Sequence, residues 1–82
     1  MMKKKLLNKE LSFLALDNIM QENGYYSETD HTESEIEDIL KSGSIVYTKD
    51  DDSHTVIHFV CTIPADATES ILASYVKITD VI

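Results

Sequence analysis

Apolar residues in the first quarter of the chain recur at helical spacing. Leu7, Leu11 and Leu14 form one stripe, and Leu6, Phe13, Leu16 and Met20 form a second on roughly the opposite side of a wheel turning about 100° per residue. This pattern predicts a helix over 6–22, ended by Gly24 at a position that favours a left-handed cap. Ile19 falls outside both stripes. Two stripes imply cover on both sides of the helix, one by the sheet and the other by a second helix or by another copy of the chain.

A second helix is predicted from the capping-box spacing of Thr32 and Glu35, running to residue 41 or 42 with Gly43 as its stop. Its apolar stripe is narrow, comprising Ile36, Ile39 and Leu40, and Glu33, Glu35, Glu37 and Asp38 occupy the remaining arc. From Gly43 onward the period drops from about 3.6 to 2, the signature of strands. Strands over 44–48 and 54–63 make a hairpin across the polar loop 49–53, with Thr48 opposite His54, Tyr47 opposite Thr55 and Ile45 opposite Ile57. That register places Ile45, Tyr47, Ile57, Phe59, Cys61 and Ile63 on a core face. The other face carries Val46, Val56, His58 and Val60, more apolar than an ordinary solvated surface, so cover is expected there too.

Pro64 ends the long strand. Asp66 and Glu69 repeat the capping-box spacing, which predicts either a short helix over 67–74 or an irregular connection. A last strand over 75–82 turns Val76, Ile78 and Ile82 inward. The expected fold is therefore α+β: two N-terminal helices followed by a three-stranded, mainly antiparallel sheet, in the order α-α-β-β-(short α)-β. At 82 residues there is room for one domain burying roughly 60–65% of its unfolded surface.

Composition narrows the class of partner. The chain has fifteen carboxylates against seven lysines and no arginine, for a net charge of −8, and four of the lysines fall within residues 1–9. Residues 10–82 thus carry a net charge of −12. Free nucleic acid is repelled by such a body and a basic protein surface is attracted. Lys3, Lys4 and Lys5 before Leu6 and Leu7 imitate a secretory signal, but Asn8, Lys9 and Glu10 cut the apolar run short. No stretch reaches the length of a membrane span. The single cysteine, Cys61, excludes an internal disulfide. A cytoplasmic protein is expected.

Candidate chemistry is sparse. Asp50, Asp51 and Asp52 lack the glycine and glutamate positions of a helix-loop-helix calcium site and read as a polar turn. His54 and His58 share one side of a strand, but a zinc site needs two further ligands. Cys61, on the opposite face from both histidines, reads as a small buried apolar residue rather than a nucleophile. The two glycines each end a helix, leaving no phosphate-binding loop. Neither catalysis nor a cofactor or metal is expected.

The strongest local signal is an acidic run, Glu28, Asp30, Glu33, Glu35, Glu37 and Asp38, free of lysine and preceded by Tyr25 and Tyr26. Glu33 and Glu37 repel across one helical turn, an arrangement that stability alone does not favour. Carboxylates spaced along a helix can occupy sites that otherwise hold phosphates, and tyrosines supply contact anchors. In size, charge and lack of arginine the chain is similar to the small acidic inhibitors that phages and mobile elements use against host nucleases and repressors. This likeness is one of composition and carries no residues. The expected function is a non-enzymatic interaction module that binds a basic, nucleic-acid-binding protein such as a nuclease through these eight residues. The competing reading is a homodimeric structural or regulatory subunit that uses the first helix or the outer sheet face.

Overall fold

The computed structural model describes residues 2–27, 32–66 and 68–82. The elements run α1 (Met2–Leu6), β1 (Glu10–Ser12), α2 (Phe13–Glu22), β2 (Tyr25–Tyr26), α3 (Glu33–Ser42), β3 (Ser44–Lys49), β4 (His54–Ile63), a 3₁₀ turn (Ile71–Ala73) and β5 (Tyr75–Val81). The strands form one antiparallel sheet in the order β1-β5-β4-β3-β2. The mixed α+β character is as predicted, but there are five strands rather than three.

The predicted continuous helix over 6–22 is not formed. Asn8 takes a left-handed conformation at φ 66°, a geometry asparagine tolerates better than most side chains. Asn8 N–H then donates to the Ile78 carbonyl, and Ile78 N–H donates to that of Lys9. Residues 10–12 continue along β5, with Leu11 opposite Val76. The helix restarts only at Ser12, whose side chain accepts from Ala15 N–H at 3.1 Å as an N-cap. Leu6, Phe13, Leu16 and Met20 all reach the same core from two separate segments, which is why their spacing reads as one helix. The opposing stripe dissolves: Leu11 packs on the core from β1, whereas Leu14 is exposed.

α3 follows its predicted bounds closely. Thr32 caps it by accepting from Glu35 N–H, and Gly43 ends it at φ 78°. The β3–β4 hairpin has the register that the alternation predicts, Ile45 with Ile57, Tyr47 with Thr55 and Thr48 with His54. Ile45, Tyr47, Ile57 and Phe59 face the helices and are buried. Phe13 meets Phe59 edge to face, with ring centroids 6.5 Å apart, and so fixes α2 over β4.

Two irregularities reverse the alternation. On β5, Phe59 pairs with Ile78 but His58 pairs with Asp80, so Thr79 is an extra residue. The phase slips by one: Val81 is buried, and Ile82, predicted to point inward, is 70% exposed. On β4, Cys61 pairs with Val76 and Ile63 with Tyr75, so Thr62 is extra. Ile63 thereby moves from the predicted core face to the outer one and is 56% exposed. Cys61 keeps the helix-side orientation but is exposed, lining an open cleft with Leu40 and Lys41 of α3 and with Ile71.

Over 68–74, the described part of the predicted 67–74 helix, no α-helix forms. The Asp66 carboxylate accepts from Thr68 N–H at 2.8 Å and from its hydroxyl at 2.7 Å, and Glu69 Oε1 accepts from Asp66 N–H at 3.2 Å. The segment continues as the 3₁₀ turn, capped by Ser70. The resulting architecture has two layers, with α2, α3 and the 3₁₀ turn against one side of the sheet and the other side open.

Candidate functional site

The acidic surface is built on α3. The helix packs through Ile36, which is fully buried, and through Ile39 and Leu40 beside it. At about 100° per residue, Asp38 lies nearly opposite Ile36, while Glu33, Glu35 and Glu37 lie along the flanks. Glu33, Glu37 and Asp38 are exposed and Glu35 is half-buried. Glu33 and Glu35 stand in the first turn and Lys41 in the last, the arrangement that the helix dipole favours. Lys41 Nζ lies 3.1 Å from Glu37 Oε1 in an exposed pair, which partly compensates Glu37. The predicted site residues Glu28 and Asp30 lie outside the described residues.

A second segment extends the acidic surface. Glu33, Ala65, Asp66, Glu69 and Ile71 line an open cleft of about 240 Å³. Its two extra carboxylates were not among the site residues expected from the sequence, although their capping-box spacing shows that they belong to one turn. The two bonds from Thr68 hold the Asp66 carboxyl below the usual range, so it remains charged well into mild acid.

The two tyrosines are separated by the alternation of β2. Tyr25 packs against the core, and Lys49 Nζ sits 4.7 Å from its ring centroid. Tyr26 faces the other way, opposite Thr48, and is exposed. Only Tyr26 therefore offers a large free surface; the pair does not form one anchor.

The remaining candidates are engaged in local structure or lie apart. Asp51 accepts from Ser53 N–H at 2.9 Å and from its hydroxyl, which lowers its pKa and closes the hairpin loop. Thr48 Oγ1 and His54 Nδ1 are 3.1 Å apart beside the hairpin loop. His58 lies on the outer face and Cys61 on the helix side. Among the described residues, no group of three His, Cys, Asp or Glu side chains is placed to hold a metal ion. Nor is any helix among them long and apolar enough to cross a membrane.

One polar feature stands outside the acidic surface. Asp17 is buried on α2, accepting from the Tyr47 hydroxyl at 3.0 Å and from Gln21 Nε2 at 2.9 Å. Its signal was an aspartate within the i, i+3, i+4, i+7 series Phe13, Leu16, Asp17, Met20. Burial and the adjacent carboxylate raise the Tyr47 pKa far above its ordinary value near 10, so the phenol stays a donor. This pair joins α2 to β3 inside the core.

Comparison with protein-family models, with curated proteins and with solved structures finds no match.

Proposed function

We propose that the chain is a non-enzymatic interaction module that docks the exposed carboxylates of α3 on a basic protein surface of the kind that binds nucleic acid. The supporting observation is that Asp38 projects from the unpacked arc of a well-capped helix with Glu33 exposed on its flank, and that Asp66 and Glu69 continue the negative surface from a separate segment. The partner's cationic side chains would meet an array of fixed carboxylates in place of phosphates. The protein then acts as an inhibitor or modulator by nucleic-acid mimicry in the cytoplasm, in the manner of the acidic inhibitors of phages and mobile elements. Tyr25 supports β2 from inside, and Tyr26, exposed on the opposite side of β2, would offer contact at the edge of the sheet rather than on the layer of α3.

The test is affinity capture from the source organism at low salt, using the native chain beside a variant with Glu33→Gln, Glu35→Gln, Glu37→Gln and Asp38→Asn. The native chain should retain a basic, nucleic-acid-binding protein and release it as salt rises, and the variant should retain none. Equal retention by both chains would remove α3 as the docking face.

A further inference from the structure

The open side of the sheet carries a second surface of different character. Read across the strands, Val46 pairs with Val56, which exchanges two backbone hydrogen bonds with Ile82. The next row is Ser44, His58 and Asp80, the next is Val60, Lys77 and Glu10, and the last is Ile63, Tyr75 and Ser12. Val46 and Val60 are each about half exposed, at 50% and 51%. With Ile63, Tyr75 and Ile82 they make an exposed apolar patch on an otherwise strongly acidic chain, a combination that marks an interaction surface.

We infer that this face is the interface of a two-fold symmetric homodimer, the two sheets stacked face to face with each strand antiparallel to its counterpart. Same-face rows succeed one another at roughly 7 Å along a strand. A two-fold axis between the sheets, crossing the strands midway between the His58 row and the Val60 row, exchanges those rows. Val60 then meets the second copy's His58, and Lys77 meets its Asp80. The same operation sets Val56 on Ile63 and Ile82 on Tyr75. At the outer rows apolar positions thus face apolar ones, Val60 lies against an imidazole, and the one lysine faces a carboxylate twice over, the self-complementarity an isologous contact requires. A basic partner gains less here than on α3, since Glu10 and Asp80 stand beside Lys77 on this face and the dense carboxylates lie on α3.

The dimer does not rest on the docking role of α3, and salt separates the two. Each copy carries −8, so screening favours pairing of copies, whereas it weakens docking on a basic surface. Sedimentation of the full chain from micromolar to millimolar concentration should show the mass doubling, more readily as salt is added. Val60→Asp should weaken pairing on the order of tenfold or more, with an unchanged circular dichroism spectrum. The Lys77→Asp and Asp80→Lys chains should each pair poorly alone and form a heterodimer when mixed, because only the mixture sets opposite charges across both symmetry-related contacts. A native chain that stays monomeric throughout overturns the inference, whatever else binds the face. So does a dimer indifferent to Val60→Asp, or a charge-swapped mixture that pairs no better than its components.

Discussion

At the scale of single residues, the buried pair of Asp17 and Tyr47 is the polar contact that joins α2 to β3 within the core. Tyr47→Phe preserves the ring but removes one of the two donors described at Asp17, leaving Gln21. A loss of about 1 kcal/mol in chemical denaturation is expected. The pH dependence has a definite sign. In the unfolded chain the phenol ionises near 10, whereas in the folded chain it resists ionisation to much higher pH. The unfolded state therefore sheds this proton first, and the stability associated with it, complete below pH 10, declines as pH rises beyond that value. The decline should be shallower in Tyr47→Phe, by up to about 1.4 kcal/mol per pH unit. Parallel slopes in denaturation series above pH 10 would show that Tyr47 is not buried against Asp17.

At the scale of elements, the two glycine caps make a comparison. Both have positive φ, which penalises a side chain, but a Cβ on Gly43 would meet the Phe59 carbonyl at 3.0 Å whereas one on Gly24 would meet nothing. Gly24→Ala should cost about 1 kcal/mol from backbone strain alone, and Gly43→Ala should cost clearly more. Thermal melts of the two variants check the order. Ser12→Ala, which removes the cap of α2, should likewise cost about 1 kcal/mol. This cap also explains what the sequence concealed. α3 and the hairpin are legible because one element supplies each periodicity from end to end, with Thr32, Gly43 and the 49–53 loop as boundaries. β1 and β2 span three and two residues, too short to show alternation, and are held as edges by pairing with β5 and β3. The extra residues Thr62 and Thr79 leave no mark on a period-two pattern, and each misplaced one isoleucine. The acidic arc of α3 was visible in the same way as its core stripe. The contribution of Asp66 and Glu69 was not, because it depends on where a loop distant in sequence comes to lie.

At the scale of the whole molecule, the two layers differ in the density of carboxylates and of exposed apolar side chains. The helical layer presents carboxylates from α3 and the 65–69 loop, and the open sheet presents valines, isoleucines and Tyr75 with Lys77 among them. The proposed functions follow this difference, a basic partner on one layer and a second copy on the other. The −12 on residues 10–82 gives the docking surface a long reach at low ionic strength. The most direct measurement is the affinity of the captured partner, followed by titration calorimetry across a salt series for the native chain and the four-fold neutral α3 variant. The native affinity should fall steeply as salt rises, while the variant binds weakly with a much flatter dependence. An affinity that is indifferent to salt, or a variant that retains the native slope, would contradict an interaction carried by the carboxylates of α3.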